Sequence, residues 1–476
     1  MNLLLQTDVY KFGHKDQYPP GTNKVYSYLE SRGSREEGLN HTVFFGLQYY
    51  IDKYLQPITH ADVDEFEEIA TGILGSVNVD QFRALADLGY IPLEIRAVPE
   101  GSVVPLGNVL MTITNTHPDF AWLVNYVETL LLKIWSPITV ASNSYRFKQL
   151  FTRFAERTCS RDHVPFQMHD FGYRGCASEE SAAIAGAAHL TSFMGTDTTA
   201  GVCMLRNHYH GLNGQIGLSV PASEHSVMCA WNAENDDREA IENMLNTYPT
   251  GIVSIVSDSY DLWKTITQYY GKEFYEQIMN RDGKVVIRPD SGDPANIICG
   301  DPAGATMEER LGVIRLLDRI FGSSENEKGY LEIDPHVGCI YGDAIFYSRA
   351  QEILSRLQGM GYASNNIIFG SGGLLLNNWS RDTLKMAIKA TYCEVNGNPR
   401  PIEKKPKTDV GKTSKRGLLR LTKSYQSGEF VYTTEQNCDT EEGGELQVVF
   451  HNQCVDSTAL CEIRERVNYE CDLTLV

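Results

Sequence analysis

Short apolar runs that end abruptly in charged or glycine residues recur along the second half of the chain. The clearest reads VVIRPDSGDP and spans Val285–Pro294. Four further runs share the plan: Leu218–Ser226, Ile252–Asp261, Gly338–Ala344 and Ile367–Gly373. Buried strands separated by helix-length segments are typical of a parallel α/β sheet. Active sites of such folds lie at the carboxyl ends of the strands, so the polar residues that end these runs are the first candidates for chemistry.

The spacing of these runs divides the chain of 476 residues, which is too long for one ordinary core. Residues 1–155 mix strand-like and helical segments without a regular alternation. The strand–helix alternation runs over 156–395, and 396–476 is rich in β-like segments again. The pattern predicts an α/β fold: an incomplete or decorated (β/α) barrel at 156–395, with a second, discontinuous α+β domain made of 1–155 and 396–476. The helices expected between the strands are Ser178–Leu190, Arg238–Thr247, Tyr260–Tyr270, Met307–Ile320, Phe346–Met360 and Arg381–Lys389.

The net charge of −19 argues against nucleic acid and anionic membrane surfaces as partners. A small anionic substrate stays possible, because a local group of Arg and Lys holds phosphate even in an acidic protein. The most apolar stretch, Phe120–Ala141, contains Asn125, Glu128 and Lys133, which indicates a core helix rather than a membrane span. The first residues lack the basic start of a signal peptide, so a cytoplasmic location is expected.

The 11 cysteines are scattered, without a CxxC pair or a Cys/His spacing typical of zinc sites. This distribution predicts buried structural thiols, no disulfide framework and no metal site built by the protein.

Glycine and acidic residues at the late strand ends indicate an anion site. In FGSGG, Gly372 and Gly373 let backbone N–H groups approach a phosphate at a helix N-terminus, although a tight turn without a ligand has the same sequence. Asp343 at the preceding strand end suits ribose hydroxyls. Arg288 and Asp290 lie on one side of an extended chain, where they either bind substrate or form an internal salt bridge.

Other strand ends add a histidine, an aromatic ring and further charges. His225 suits a general base, a phosphate ligand or a phosphorylated nucleophile, unless it is purely structural. Phe171 offers a stacking face or belongs to the core, while Arg174 and Asp197 add charge. A basic stretch between Lys404 and Arg416 is either a solvated loop or a phosphate-binding flap. The whole set suits a phosphorylated sugar substrate that brings Mg²⁺ in as its phosphate complex. A Ser-His-Asp arrangement, a P-loop and a Rossmann fingerprint are all absent from the sequence.

The ordered motifs resemble the nicotinamide branch of the nicotinate and nicotinamide phosphoribosyltransferase family. They are TDVYKFGHKDQYPPGTNKVYSYLESRG, HDFGYRG, GTDT, SVPASEHS, SDSYD, IRPDSGDP, GD and FGSGG, and the match runs from Thr7 to Gly417. The resemblance implies that nicotinamide and phosphoribosyl pyrophosphate give nicotinamide mononucleotide and pyrophosphate, in NAD salvage. It also implies Mg²⁺, ATP hydrolysis coupled through a phosphohistidine, and a homodimer with shared active sites.

The resemblance also implies a role for each matched residue. The catalytic residues would be His225, Asp290, Arg288 and Asp261. The nicotinamide ring and carboxamide would contact Phe171, Asp197, Arg288, Ser219, Val220 and Tyr10, the last from the other subunit. Ribose and the 5′-phosphate would contact Asp290, Gly342, Asp343, Gly372, Gly373, Arg381 and Lys389, the last two also from the other subunit. Pyrophosphate would contact Arg32, Arg174, His225, Lys404 and Lys412.

Three residues differ from the family pattern. Tyr341 stands where glutamine is expected, Ala387 where serine is expected, and Ser223 where a small apolar residue is expected. Two other functions stay open. The first is a nicotinate phosphoribosyltransferase, for which Asp197 is the discriminating residue. The second is a non-catalytic nucleotide-binding protein, against which the intact Asp290 and His225 argue.

Overall fold

The computed structural model describes residues 2–209, 215–231, 235–426 and 429–473. Its strands are β1 (Thr22–Ser31), β2 (His41–Val43), β3 (Leu93–Ala97), β4 (Val103–Pro105), β5 (Val109–Asn115), β6 (Met168–Asp170), β7 (Gly195–Thr196), β8 (Gly251–Val256), β9 (Gly283–Arg288), β10 (Ser323–Glu325), β11 (Leu331–Ile333), β12 (Val337–Tyr341), β13 (Ile367–Ser371), β14 (Met386–Val395), β15 (Asn398–Pro401), β16 (Leu418–Gln426), β17 (Glu429–Cys438), β18 (Gln447–His451) and β19 (Cys454–Val455).

The α-helices are α1 (His14–Gln17), α2 (Leu47–Tyr54), α3 (His60–Leu74), α4 (Asp80–Leu88), α5 (Leu123–Tyr126), α6 (Glu128–Leu131), α7 (Trp135–Thr158), α8 (Glu179–His189), α9 (Thr199–His208), α10 (His225–Ala230), α11 (Arg238–Thr247), α12 (Leu262–Lys264), α13 (Tyr275–Met279), α14 (Pro294–Cys299), α15 (Met307–Phe321), α16 (Tyr347–Gly359), α17 (Gly373–Leu376) and α18 (Leu460–Leu473). A π-helix, Thr265–Glu273, continues α12. Short 3₁₀ helices span Leu3–Leu5, Val9–Lys11, Pro118–Phe120, Leu132–Ile134, Val164–Phe166, Tyr173–Gly175, Ser364–Asn366 and Val410–Lys412.

A curled parallel sheet forms the centre of the second half of the chain, which confirms the predicted α/β class. Its strand order is β7-β6-β13-β12-β9-β8. Leu218 forms a parallel bridge to Gly195 at one edge, and Ala222 forms one to Ser254 at the other. The segment 218–222 therefore connects the two edge strands, β7 and β8. These two bridges, rather than a full strand, close the curled sheet into a barrel. The run expected as a strand at Leu218–Ser226 has only these bridges, because Pro221 has no N–H for a ladder.

A second sheet, antiparallel, combines the two ends of the chain. Its order is β15-β14-β1-β5-β3-β18-β19, so it combines strands from residues 22–115 with strands from residues 386–455. The expected barrel domain ends at residue 395, which is the last residue of β14. This strand nevertheless pairs with β1 along most of its length and so belongs to the antiparallel sheet. The long helix α7 packs against β2, α8 and α18 and so lies between the two parts of the fold.

Most expected helices appear within one or two residues of their predicted ends, but the one expected at Arg381–Lys389 is wrong. Residues 381–385 form a turn in which Lys385 has φ 48°, and β14 follows at Met386. Met386 and Ile388 are buried against the sheet, and Ser31 and Leu29 of β1 pair with them. Pairing with an existing strand outweighs a local helix preference, because the partner supplies both hydrogen bonds and packing.

All 11 cysteines lie in the described residues without a disulfide bond, and they divide between the interior and the surface. Cys159, Cys299, Cys339 and Cys471 are buried, whereas Cys203, Cys229, Cys454 and Cys461 are exposed, so the expectation of buried thiols is correct only in part. The helices in the described part of the chain are each too short or too polar to span a bilayer.

Candidate active site

The predicted site residues converge because each follows a strand of the parallel sheet. Phe171 follows β6, Asp197 follows β7, Asp290 lies two residues beyond β9, Gly342 follows β12 and Gly372 follows β13. Parallel strands place all their carboxyl ends on one edge, so residues far apart in sequence meet there. His225 joins them at the first turn of α10, after the segment that closes the barrel.

Two glycines make room for the ring of Phe171. A Cβ atom built on Gly370 would lie 2.2 Å from Cε2 of Phe171, and one on Gly342 would lie 3.3 Å from the same atom. The Arg288 guanidinium lies 4.9 Å from the ring centroid, a cation–π distance. The ring is only half-buried, so it presents a flat face to the barrel mouth. Such a face suits a planar heteroaromatic ligand.

Asp197 is held at the edge of this face by two donors. Nε2 of His169 lies 3.1 Å from Oδ1 of Asp197, and the Ser219 hydroxyl donates to the same oxygen. Burial alone would raise the pKa of Asp197, but hydrogen bonds with His169 and Ser219 outweigh burial and leave the pKa below its ordinary value. Asp197 is therefore a carboxylate at neutral pH.

Arg288 lies across the site from this carboxylate. Its Nη2 atom is 3.6 Å from Oδ2 of Asp290, so the salt bridge considered from the sequence is present. In the described parts of the chain its Nε–H is buried without a hydrogen-bond partner. Because a buried unpaired donor is costly, this arginine has hydrogen-bonding capacity left for a ligand.

Asp258 links His225 to Asp290, and the sequence reasoning missed it. Its Oδ1 atom lies 3.1 Å from Nε2 of His225, and its Oδ2 atom accepts the Asp290 N–H at 2.8 Å. The side chain is only 6% exposed. Asp261, the carboxylate chosen from the same motif, instead accepts the Lys264 N–H and caps α12. The signal in the sequence was the position of Asp258 two residues after a buried strand, which Asp290 and Asp343 share.

The glycine loop after β13 lies against the 3₁₀ helix that carries Arg174. A Cβ on Gly175 would lie 2.8 Å from Cα of Gly373, so the two backbones touch. Gly372 precedes α17, and Arg174 is exposed beside it. Asp343 is exposed at the neighbouring strand end. The loop thus presents bare backbone with one cation and one carboxylate nearby.

A cavity of about 440 Å³ runs through the barrel behind these residues. Phe171, Asp197 and Arg288 line one end, and Ser219 and Val220 line the wall. The other end is lined by Ile252, near the start of β8, and by Lys284, near the start of β9. A larger cavity of about 630 Å³ lies in the other part of the fold, around Tyr18, Gln81 and Trp122. It contains none of the predicted site residues, so the chemistry favours the barrel cavity.

Six predicted residues lie on the antiparallel part of the fold or its loops, and they do not line the barrel cavity of the described chain. They are Tyr10, Arg32, Arg381, Lys389, Lys404 and Lys412. Tyr10 is 67% exposed. Three of the cations form ion pairs: Arg381 with Asp382, Lys389 with Glu128 and Lys412 with Asp409. Arg32 forms an ion pair with Glu30, and its Nη2 atom is buried without a hydrogen-bond partner in the described chain. Their predicted roles in the site stay predictions.

The chain resembles known phosphoribosyltransferases along almost its full length. Residues 166–459 match the nicotinate phosphoribosyltransferase (NAPRTase) family, and residues 2–94 match the nicotinamide phosphoribosyltransferase N-terminal domain. The nicotinamide phosphoribosyltransferase of Acinetobacter baylyi is 41% identical over 495 aligned residues, covering 98% of this chain and 97% of that protein. The one from Xanthomonas campestris pv. campestris is 42% identical, covering 90% of this chain and 89% of that protein.

Two solved structures share the fold at low sequence identity. Nicotinate-nucleotide pyrophosphorylase from Pyrococcus furiosus aligns with a TM-score of 0.61 and 14% identity, covering 100% of this chain and 97% of that one. Human nicotinic acid phosphoribosyltransferase aligns with a TM-score of 0.57 and 15% identity, covering 98% and 94%. Together with the family matches and the sequence relatives, the arrangement of strand ends shows that the chain belongs to the nicotinate phosphoribosyltransferase family.

Proposed function

We propose that this protein is a nicotinamide phosphoribosyltransferase, which makes nicotinamide mononucleotide and pyrophosphate from nicotinamide and phosphoribosyl pyrophosphate in NAD salvage. The observation that carries the proposal is the pairing of one ionised acceptor with one free donor beside an aromatic face. Asp197 is the acceptor, Arg288 the donor and Phe171 the face. A primary carboxamide needs both an acceptor for its NH₂ group and a donor for its oxygen.

The same pairing favours nicotinamide over nicotinate. The amide nitrogen donates to Asp197 and the amide oxygen accepts from Arg288, while the pyridine stacks on Phe171. A nicotinate carboxylate has no N–H to donate and meets the negative charge of Asp197 at the same point. Ser219 and Val220 line the wall beside the ring.

The ribose and phosphates fit the neighbouring strand ends. Asp290, Gly342 and Asp343, which follow neighbouring strands, would accept hydrogen bonds from ribose hydroxyls, and the backbone of Gly372 and Gly373 would bind the 5′-phosphate. Arg32, Arg174, Lys404 and Lys412 supply positive charge for pyrophosphate. Loss of pyrophosphate leaves positive charge at ribose C1, and the carboxylate of Asp290 stabilises it, so rate acceleration comes from charge placement and orientation.

Mg²⁺ and ATP complete the proposal. Carboxylate oxygens are the ligands that Mg²⁺ prefers, and Asp290 and Asp343 offer them at adjacent strand ends. In the proposed reaction, the ion arrives bound to the pyrophosphate group of the substrate. When bound, Mg²⁺ offsets the charge of the leaving pyrophosphate. His225, hydrogen-bonded to Asp258, is the residue proposed to be phosphorylated by ATP.

The residues that lie away from the barrel cavity favour a homodimer. Tyr10, Arg381 and Lys389 would reach the cavity of the partner subunit, where Tyr10 would cover the second face of the pyridine. The exposure of Tyr10 leaves its ring available for this contact. A cytoplasmic location stays a prediction.

A product assay tests the reaction. Purified protein receives phosphoribosyl pyrophosphate and Mg²⁺ with nicotinamide or nicotinate, in the presence and absence of ATP, and the mononucleotides are separated by chromatography. Nicotinamide mononucleotide should predominate and form faster with ATP. Preferential formation of nicotinate mononucleotide would move the protein to the nicotinate branch, and no product from folded protein would contradict the proposed activity.

A further inference from the structure

We infer that His169 is a specificity-determining residue, which holds Asp197 in the position that selects a carboxamide over a carboxylate. The inference rests on the proposed function and assigns a role to a residue that the sequence left without one. His169 occupies the middle of β6, one residue before the strand end, and lines the barrel cavity beside Phe171. The two rings lie 4.8 Å apart at an angle of 38°.

The two carboxylate oxygens of Asp197 have different roles: Oδ1 bonds the protein, and Oδ2 is left for the ligand. His169 and Ser219 both use Oδ1, at 3.1 Å for Nε2 of His169. In the described chain Oδ2 accepts no such hydrogen bond, and the side chain is 42% exposed. With Oδ1 fully occupied, the carboxylate cannot rotate freely, which leaves Oδ2 as the acceptor for an amide N–H.

The chemistry of a carboxylate also sets the tautomer of His169. An ionised carboxylate only accepts hydrogen bonds, so Nε2 of His169 must carry a proton. This donated bond is one of the contacts that lower the pKa of Asp197 against the effect of burial. Keeping the charge on Asp197 is what repels nicotinate, so His169 contributes to both orientation and charge.

The position of His169 depends on the neighbouring strand. Gly195 pairs with His169 across β6 and β7, and a Cβ on Gly195 would lie 2.8 Å from Nδ1 of His169. The absence of a side chain there leaves space for the imidazole that contacts Asp197. Gly195, His169 and Asp197 thus form one arrangement built from two adjacent strand ends.

The test replaces His169 with residues that remove or keep the donor. His169→Leu should raise the KM for nicotinamide about tenfold and lower the preference for nicotinamide over nicotinate by a similar factor, since one hydrogen bond to a charged group is lost. The KM for phosphoribosyl pyrophosphate should stay unchanged, which separates this role from a general structural defect. His169→Gln places an amide N–H at a similar reach and should restore most of the preference.

A matched control uses another His–Asp pair. His60 lies 3.0 Å from Asp87 on the surface, and His60→Leu should change neither KM nor preference. A folded His169→Leu variant that keeps the full preference would overturn the inference, as would a His169→Gln variant that loses as much as His169→Leu. Since wild type is assayed alongside, failure of the proposed reaction itself would show separately as absence of nicotinamide mononucleotide.

A measurement on the unaltered protein covers the case in which the leucine variant does not fold. Long-range ¹H–¹⁵N NMR of imidazole nitrogens, with His169 assigned by the glutamine variant, should show a protonated Nε2. A neutral His169 protonated only at Nδ1 would overturn the inference, because that tautomer has no donor for Asp197.

Discussion

At the scale of single residues, the candidate site depends on glycines that leave space as well as on side chains that make contacts. Gly370 and Gly342 leave the space that the Phe171 ring fills. Asp258 is a buried carboxylate that bonds a histidine with one oxygen and a backbone N–H with the other. These glycines and Asp258 act indirectly, because each sets the position of a residue that is predicted to bind substrate.

Gly370→Ala should displace the Phe171 ring, since its Cβ would lie 2.2 Å from that ring. Overpacking costs about 1–3 kcal/mol, and the misplaced face should raise the KM for nicotinamide about tenfold or more. Steady-state kinetics and thermal melting measure both effects. Gly359→Ala is the control, because an added Cβ there meets nothing within 4 Å. It should leave the KM for nicotinamide unchanged and should not lower the melting temperature. A Gly370→Ala enzyme with a normal KM for nicotinamide would show that the space at Gly370 does not set the position of the Phe171 ring.

Asp258→Asn should lower kcat/KM about tenfold to a hundredfold and abolish stimulation by ATP. Hydrogen bonds to charged groups contribute roughly 1.5–3 kcal/mol, and the amide cannot both receive from Asp290 N–H and keep the charge beside His225. Kinetics with and without ATP measure the change. Asp261→Asn is the comparison, because Asp261 caps α12. A larger loss in Asp261→Asn would instead favour the catalytic role that the motif predicted for Asp261.

At the scale of elements, the turn after β9 is anchored at several points. Asp258 accepts the Asp290 N–H, the Tyr341 hydroxyl donates to Gly292 O at 3.0 Å, and Asp293 caps α14. Tyr341 is fully buried in β12, the neighbouring strand. The residue that departs from the family pattern therefore has a structural role here: it fixes the turn that carries Asp290.

Tyr341→Phe removes only the hydroxyl of this anchor. It should destabilise the protein by about 1 kcal/mol and raise the KM for phosphoribosyl pyrophosphate several-fold, because Asp290 is less well positioned. Chemical denaturation and kinetics measure the two effects. Tyr362→Phe is matched to it, since the Tyr362 hydroxyl donates to Asp318 at 2.5 Å away from the site. That control should lose at least as much stability, because its partner is a charged carboxylate, and it should keep its KM. A Tyr341→Phe enzyme with unchanged KM would show that the anchor serves stability alone.

At the scale of the whole molecule, the fold places the predicted residues in two groups. One group surrounds the barrel mouth, and the other, which includes Tyr10 and Lys389, lies on the antiparallel part and its loops. In the proposed shared-site dimer, Tyr10, Arg381 and Lys389 of one subunit would lie beside the barrel mouth of the other. Each active site would then contain residues of both subunits.

Complementation tests the shared site. Tyr10→Ala and Asp290→Ala dimers, each nearly inactive, should regain activity when mixed and re-dimerised. Random exchange gives about half heterodimers with one intact site of two, so recovery should approach roughly a quarter of wild-type activity. Phe171→Ala mixed with Asp290→Ala should recover nothing, because both residues lie on the same barrel. Absence of recovery in confirmed Tyr10/Asp290 heterodimers would argue against the shared site.

The sequence by itself determined the parallel sheet and the strand-end residues. Strands such as the one that ends at Arg288 can be recognised from the sequence. A strand buried on both faces needs an uninterrupted apolar run, and the polar residues that follow mark the end of the sheet. The sequence alone therefore indicated that Phe171, Asp197 and Asp290 lie close together, and the family motifs implied their roles.

Only the tertiary structure decided the rest. Residues 386–389 became strand because β1 offered a partner. Asp258 rather than Asp261 reached His225, since the chain turns into α12 between the two carboxylates. The His169–Asp197 bond joins adjacent strands that are 28 residues apart in the chain. Such contacts depend on the register between strands and on space left by glycines, which no local pattern of residues encodes.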